Sequence, residues 1–366
     1  MTRVLAAISG AGGLIALLLA AAQDGTGPLA VRAFGLLVVL AAMLWLVRPI
    51  ELSKWSSTVV AGGLSTAGAV LLLSQLDSIT PAAGFWGATV AAWALAWLFV
   101  ERLASIESRR QLFAWTLRLL IPLLFGVWLL VIWELCTRGF GVPQVLLPSP
   151  SAIGTRMVSS TATLWADFKQ TFLHAVLIGY ALGCGSGFLI ALLIDRSPFL
   201  QRGLLPIGNL VSALPIVGVA PIMVMWFGFD WQSKAAVVVV MTFFPMLVNT
   251  VAGLAASGAM QRDLMQTYAA GYWQTLFKLR LPEALPFIFN ALKINSTLAL
   301  IGAIVAEFFG TPIVGMGFRI STEVGRMNVD MVWAEIAMAA VAGSLFYGIV
   351  TLVERMFTFW HPSIRN

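Results

Sequence analysis

The 366-residue sequence is short of charge: Asp, Glu, Lys and Arg make up only 10% of it, while 60% of its residues are hydrophobic. A water-soluble domain carries about 25% charged residues, so this chain cannot cover itself with a solvated surface. The deficit excludes a soluble globular protein and indicates an all-α integral membrane protein that lies in the lipid bilayer. The net charge of +6 is scattered between apolar runs, which favours loops at a membrane surface over a nucleic-acid partner.

Residues that carry chemistry are equally scarce. The two cysteines, Cys136 and Cys184, lack the spacing of a metal site or a redox pair. The 33 glycines include no Gly-Lys-Ser/Thr sequence that would hold a nucleotide phosphate, and no nucleophile, base and orienting residue can be grouped. The sequence therefore predicts a chain that is not an enzyme, binds no cofactor or metal of its own and does not hydrolyse ATP.

What the sequence has in abundance is long apolar runs. A bilayer core about 30 Å thick needs roughly 20 apolar residues per helix, and about ten segments approach that length. They are 4–22, 29–47, 57–76, 82–100, 116–135, 172–194, 204–226, 235–256, 291–310 and 332–353. With the N-terminus inside, 15 of the 22 Lys and Arg residues fall on the inner side and 7 on the outer side. The positive-inside rule then places both termini in the cytoplasm.

The runs divide near residue 110 into two membrane regions. Residues 1–110 hold four predicted spans that are rich in Ala, Leu and Gly and almost free of charge. Residues 111–366 hold the other six spans and most of the prolines and polar interruptions. We therefore predict a four-helix N-terminal extension without recognisable chemistry, followed by a six-helix region that carries the function.

Prolines mark two irregular places in the second region. Residues 139–151 favour an extended segment outside the membrane, followed by a short interfacial helix capped by Ser149 or Ser151. The predicted span 204–226 contains Pro215 and Pro221, which would kink a membrane helix. The sequence leaves open whether this kinked helix moves along a pathway or forms a fixed bend.

Few polar side chains fall inside the predicted spans. An ionisable group at the centre of a membrane helix costs at least about 2.5 kcal/mol, so Glu307 should face protein, water or a partner. Its place near the outer end of a span fits packing or hydrogen bonding at least as well as contact with a substrate. Asn295 and Ser296 are suited to hydrogen bonds between helices.

A polar, partly basic loop at 257–286 separates two of the apolar runs. Its residues fit a short amphipathic helix that stops at a Leu-Pro pair ending with Pro282. Such a helix on the cytoplasmic side can dock into a soluble partner or lie on lipid headgroups with its basic residues at the phosphates. The apolar anchors would be Leu264, Met265, Tyr268, Tyr272 and Trp273, and the polar rim would be Arg262, Asp263, Lys278 and Arg280.

Four segments carry a family resemblance. They are Leu-Pro-Ser-Pro-Ser at 147–151, a proline-rich stretch at 213–228 that ends in Trp-Phe-Gly, the loop segment 263–282, and the stretch 299–310 that contains Glu307. In this order and spacing, over residues 115–360, they resemble the permease subunits of ATP-binding-cassette (ABC) importers, specifically the nitrate/sulfonate/taurine group.

The resemblance implies an architecture and a set of partners. The fold would be that of a type I ABC importer permease, with a core of about six helices and here four extra N-terminal helices. The loop 257–286 would be the coupling loop, whose short helix contacts an ATPase. The implied partners are two ABC ATPase subunits that bind ATP and Mg²⁺, an extracytoplasmic solute-binding protein and a second permease copy, in a bacterial inner membrane.

The loop departs from the family's pattern. The family's leading Glu falls on Asp263, its two alanines on Leu264 and Met265, and its glycine on Ala269, with Gly271 two positions later. This variant resembles a sub-branch associated with pyrimidine or riboflavin-like vitamin precursors more than the nitrate, sulfonate or taurine members. The sequence does not identify the solute.

Two other functions are compatible with the sequence. An ion-coupled secondary transporter needs intramembrane ionisable residues and an internal repeat, and the sequence shows few of the former and no evident repeat. A non-transporting membrane scaffold is favoured only by the four-helix extension.

Overall fold

The computed structural model of the protein describes residues 2–22, 29–47, 54–76, 83–106, 111–197, 199–200, 202–203, 206–207, 215–310 and 313–360. The described helices are α1 (Thr2–Ala22), α2 (Leu29–Val47), α3 (Lys54–Gln75), α4 (Ala83–Ala104), α5 (Gln111–Gly139), α6 (Pro150–Ser159), α7 (Thr161–Phe168), α8 (Leu177–Arg196), α9 (Ile216–Phe227), α10 (Trp231–Ala255), α11 (Ala259–Thr267), α12 (Tyr272–Thr275), α13 (Leu281–Glu307), α14 (Met316–Gly325) and α15 (Val329–Phe357). Two π-helical segments, Lys169–Val176 and Leu276–Arg280, join α7 to α8 and α12 to α13.

Every described element is a helix. Among the described residues, 7 helical stretches are long and apolar enough to cross a membrane, and the shorter apolar helices Val4–Leu19, Val31–Met43 and Ile216–Phe227 occupy the other predicted positions. In lipid a helix satisfies its own backbone hydrogen bonds, so this architecture follows from the apolar runs. The prediction of an all-α, multi-pass membrane protein is confirmed.

The chain forms two compact units, Met1–Ala152 and Ile153–Asn366. The division lies C-terminal to residue 110, where the sequence suggested a boundary, because α5 packs against α4 within the first unit. In that unit α1 and α4 approach closely: a Cβ atom added to Gly12 would lie 2.7 Å from the carbonyl oxygen of Gly87. Small residues allow such close van der Waals packing between membrane helices.

In the second unit α10 packs between α8 and α13. The glycines Gly179, Gly183 and Gly187, one helical turn apart, line the face of α8 that meets α10. A Cβ atom on Gly187 would lie 2.5 Å from the carbonyl oxygen of Phe243. This stripe of small residues brings the two backbones into contact and fixes α8 against α10.

Two membrane helices begin earlier than predicted. The helix predicted for 172–194 is continuous from Thr161 to Arg196, and the helix predicted for 291–310 is continuous from Tyr272 to Glu307. The prediction that a Leu-Pro pair stops the loop helix is therefore wrong. Hydropathy alone finds only the most apolar part of each helix. It misses these extensions because the added turns contain polar residues.

Pro282 lies within the continuous helix Tyr272–Glu307, just after its π-helical turns. Two other prolines singled out by the sequence mark helix starts: Pro150 is the first residue of α6, and Pro215 is the extended residue that precedes α9. Proline fits these places because its fixed φ suits a helix start, where its missing N–H is not needed. Pro215 therefore does not kink the helix as predicted, whereas Pro221 lies inside α9. Positions 208–214 of the predicted span lie outside the described residues.

Candidate functional site

The loop between α10 and α13 forms a short helix, α11, of which no residue is buried. Gln261 closes its first turn, because its side-chain Oε1 accepts a hydrogen bond from the N–H of Gly258 at 2.9 Å. Met260, Leu264 and Tyr268 follow one another at intervals of four residues and therefore share one helix face. These three side chains are 85%, 56% and 78% exposed.

The last turn of α11 is closed by a residue in the left-handed conformation. The N–H groups of Ala269 and Ala270 donate to the carbonyl oxygens of Gln266 at 2.8 Å and Met265 at 3.0 Å, which is the Schellman arrangement. Ala269 has a φ of 52°, which glycine adopts freely and alanine only with strain. It is also the position on which the family's glycine falls. Gly271 has a φ of −68° and does not replace it.

A mostly buried ion pair ties this loop to the membrane helices. Asp195, near the end of α8, accepts hydrogen bonds from the two Nη atoms of Arg280 at 2.8 and 2.6 Å and from the Tyr272 hydroxyl at 3.0 Å. Nε of Arg280 donates to the carbonyl oxygen of Leu254 in α10 at 3.0 Å. We call these four residues the Asp195 cluster. Its bidentate, charge-assisted bonds are among the stronger polar contacts in proteins, and they join α8, α10 and the helix that leads into α13.

Three side chains predicted to face a partner bind their own chain instead. Arg280 and Tyr272 belong to the Asp195 cluster, and Nη2 of Arg262 donates to the carbonyl oxygens of Ala255 and Ser257 at 2.6 Å each, where it satisfies acceptors at the end of α10. Met265 and Pro282 are half-buried. We call the large apolar and the charged side chains of this loop that are exposed the α11 surface; they are Met260, Asp263, Leu264, Tyr268, Trp273, Phe277 and Lys278.

The helix α13 has 27 residues and is therefore about 40 Å long. A second ion pair lies at its other end. The buried carboxylate of Asp167 accepts hydrogen bonds from Nε of Arg319 at 2.8 Å and from the N–H of Gly315 at 2.7 Å. The hydrogen bonds to Asp167 raise the pKa of Arg319 above its ordinary value, so the guanidinium stays charged. The pair fixes the first turn of α14, where free N–H groups favour a carboxylate.

The three polar residues predicted inside spans have hydrogen-bond partners within the protein. Glu307 is buried and accepts from the Thr171 hydroxyl at 2.8 Å and from the N–H of Gly317 at 2.7 Å. The Asn295 side-chain amide donates to a carbonyl oxygen of α10 at 2.8 Å, and the Ser296 hydroxyl donates within its own helix at 2.7 Å. Of the roles left open for Glu307, hydrogen bonding between elements is the one seen in the structure.

Sequence reasoning missed Asp195, Asp167 and Glu335. Asp195 ends a span, where topology rules weigh only Lys and Arg. Asp167 lies in the polar turns that precede the predicted span 172–194. Glu335 lies inside a predicted span. An ionisable residue within a membrane span is by itself a candidate functional group, so its position in the sequence was a signal that could have identified it.

Sequence similarity to known proteins identifies the family of this chain. Residues 183–365 match the model of the family described as binding-protein-dependent transport system inner membrane component. The formylaminopyrimidine transport permease protein of Halalkalibacterium halodurans is 33% identical over 65% of this chain and 95% of its own length. The riboflavin transport system permease protein of Chloroflexus aurantiacus is 30% identical over 72% and 98%, and the taurine transport system permease protein of Escherichia coli is 26% identical over 71% and 98%.

The matched region contains α11 and the whole Asp195 cluster, the part of the molecule where an exposed helix is bonded to membrane helices. The relatives are permeases of transport systems, which decides against the secondary transporter and the scaffold. The chain belongs to the family of binding-protein-dependent transport system inner membrane components and is a multi-pass permease subunit of an ABC importer.

Proposed function

We propose that the α11 surface is the docking site for an ABC ATPase subunit, and that the Asp195 cluster transmits the movement of that subunit to the membrane helices. The observation that carries the proposal is the exposed row of Met260, Leu264 and Tyr268 on a helix that buries none of its residues. Burying such a row against a partner is favourable. A contiguous exposed apolar patch is typical of an interaction site.

The charges of the α11 surface favour a protein partner over lipid headgroups. A helix that lies on anionic lipid presents several Lys or Arg side chains along its polar face. Arg262 is held by carbonyl groups of its own chain, so the α11 surface as defined above offers one basic side chain, Lys278, beside the acidic Asp263. An apolar row beside an acidic side chain fits a groove with an apolar floor and basic residues at its rim.

The Asp195 cluster gives a docked α11 a stiff connection to the core. The side chains of Arg280 and Asp195 are only 16% and 9% exposed, so water competes weakly for their hydrogen bonds. Tyr272 and Arg280 both reach Asp195 from the segment that follows α11, and Arg280 also holds α10. A displacement of the loop is therefore transmitted to α8, α10 and α13 together.

The arrangement of the whole importer follows from this assignment. The α11 surface and both chain termini lie in the cytoplasm, and the end of α13 near Asp167 faces the solute-binding protein. Two permease copies form the pathway, because each chain supplies one docking loop for one ATPase subunit. ATP and Mg²⁺ bind to those ATPase subunits, so this chain itself catalyses no reaction.

We infer that the solute is a nitrogen heterocycle of the pyrimidine or flavin class. The relatives named for formylaminopyrimidine and riboflavin are 33% and 30% identical to this chain, whereas those named for aliphatic sulfonates and taurine are 29% and 26% identical. The test is calorimetric titration of the cognate binding protein with formylaminopyrimidine, riboflavin, an alkyl sulfonate, taurine and nitrate. Binding of a sulfonate, taurine or nitrate without binding of either heterocycle would overturn the inference.

The docking assignment is tested by placing two charges in the apolar row. Leu264→Asp combined with Tyr268→Asp replaces two members of the apolar row by charges, and losing an interface hot spot costs about 2 kcal/mol or more. We expect the ATPase subunit to be lost on co-purification while the permease stays in the membrane. The matched control is Val158→Asp, at an apolar side chain that is 79% exposed on α6, which should leave the complex intact. Normal ATPase recovery with the double variant would contradict the assignment.

A further inference from the structure

Glu335 on α15 is a buried carboxyl group without a hydrogen-bond donor in the described part of the chain. None of its surface is exposed, and neither of its carboxyl oxygens accepts a hydrogen bond from the described residues. Burial strips a carboxylate of its hydration, and native proteins compensate with donors or an opposite charge. In the absence of donors the uncharged, protonated acid is the form that suits this site.

The group beside Glu335 is another carboxyl group, that of Asp167 on α7. Asp167 accepts hydrogen bonds from Arg319 at 2.8 Å and from the N–H of Gly315 at 2.7 Å. Donors of this kind stabilise the ionised form, so Asp167 is the charged member of the pair. Two adjacent carboxyl groups can hydrogen bond to each other only when a proton lies between them.

The charges on the surrounding helices balance when one carboxyl group of this region holds a proton, and Glu335 is the one that lacks donors among the described residues. Glu307 on α13, Arg319 on α14 and Lys234 on α10 face this region. Asp167, Glu307 and Glu335 would together carry three negative charges if ionised, against two positive charges on Arg319 and Lys234. One proton on Glu335 removes the surplus negative charge.

The other charged groups of the packed elements are paired or exposed. Glu323 on α14 binds Arg326 at 3.2 Å, and Asp330 at the start of α15 binds Arg156 on α6 at 3.4 Å. Asp230, which precedes α10, is exposed to solvent. None of these groups supplies a charge that would replace the proton.

We propose that Asp167 and Glu335 form a proton-binding site, in which Glu335 is protonated and donates its O–H to the Asp167 carboxylate. The proton links α7 to α15, and Asp167 at the same time holds the first turn of α14 through Arg319 and Gly315. Loss of the proton places two negative charges side by side in a buried site and loosens α14 from its neighbours. The packing of α14 at this end of the permease core thus depends on a bound proton. This dependence is separate from the docking of an ATPase.

A proton fits this site better than a metal ion. Ca²⁺ takes six to eight oxygen ligands and Mg²⁺ about six, and the site offers two carboxyl groups. Within the described part of the chain no three or more His, Cys, Asp or Glu side chains are grouped for metal binding.

Infrared spectroscopy of the purified permease tests the proposal directly. We expect the carbonyl stretch of a protonated carboxylic acid at neutral pH, and its loss in the Glu335→Gln variant. The matched control is Glu323→Gln, which changes a buried glutamate that has an arginine partner and should leave the band unchanged. Absence of the band from the unaltered protein, or its persistence in Glu335→Gln, would overturn the proposal.

A pH series of thermal unfolding gives a second readout. The unfolded chain loses the proton of a glutamate above about pH 4, whereas the native state keeps it, so stability falls as pH rises. With rising pH the melting temperature of the unaltered protein should therefore fall further than that of Glu335→Gln, whose amide donates without titrating. Equal slopes, or stabilisation by Na⁺ at constant pH, would contradict a proton site. If Glu335→Gln does not fold, the infrared band is followed in the unaltered protein as pH is raised: its loss at high pH supports the proposal, and its absence at neutral pH overturns it.

Discussion

At one end of α13 the carboxylate of Asp195 binds Arg280, and at the other end the carboxylate of Asp167 binds Arg319. Asp195 lies at the edge of the core, and its three donors come from the segment that leads out to α11. Asp167 is completely buried and adjoins a second carboxyl group, that of Glu335. The first pair therefore joins the exposed loop to the core, whereas the second holds elements of the core together.

The largest loss of stability is expected from Arg319→Ala. The substitution leaves Asp167 buried and charged without its main partner, and breaking a buried ion pair in this way costs about 3–5 kcal/mol. Chemical or thermal unfolding of the purified permease measures the loss. Combining Arg319→Ala with Asp167→Asn removes the unpaired charge and should recover part of the stability. A double variant no more stable than Arg319→Ala would show that the charge is not the cause.

A smaller loss of stability is expected from Arg280→Ala. Asp195 keeps some contact with water and the hydrogen bond from Tyr272, so the expected cost is about 1–3 kcal/mol. The same unfolding assay measures it beside Arg319→Ala. A loss equal to or greater than that of Arg319→Ala would break the comparison between the two ends of α13.

The smallest effects are expected at the ends of the two short helices, α11 and α14. Ala269 and Met327 have φ angles of 52° and 60°. The N–H groups of Met327 and Asn328 donate at 3.1 and 3.0 Å to carbonyl oxygens of α14, so both helices end in the same Schellman arrangement. Ala269→Gly and Met327→Gly each relieve strain and should stabilise their helix by about 0.5–1 kcal/mol.

Hydrogen exchange measures this gain locally. Amides in the last turn of α11 should exchange about two to five times more slowly in Ala269→Gly, and those of α14 in Met327→Gly. The control is Ala270→Gly, at a neighbouring residue outside the left-handed region, which should leave exchange unchanged or faster. Slower exchange in the control would show that glycine acts by another route than relief of strain.

The positions of the membrane helices and the existence of α11 were predictable from the sequence, because apolar runs and a polar loop are local properties. The starts of the helices at Thr161 and Tyr272 were not, since polar π-helical turns extend them beyond the apolar runs. The partners of Arg262 and Arg280 were also unpredictable, because a basic residue in a loop has the same pattern whether it faces a partner or binds a carbonyl group of its own chain. Alanine rarely adopts the left-handed backbone conformation that Ala269 has, and only the family resemblance indicated it.

The most direct test of the account compares solute transport with ATP hydrolysis in proteoliposomes that contain the permease, its ATPase and the loaded binding protein. In Asp195→Asn the ATPase should remain bound and hydrolyse ATP, while solute carried per ATP falls at least about fivefold, the lower end of typical coupling effects. The charge-swapped variant D195R/R280D should recover part of the ratio. An unchanged ratio in Asp195→Asn would contradict the claim that this pair transmits the movement of the ATPase to the membrane helices.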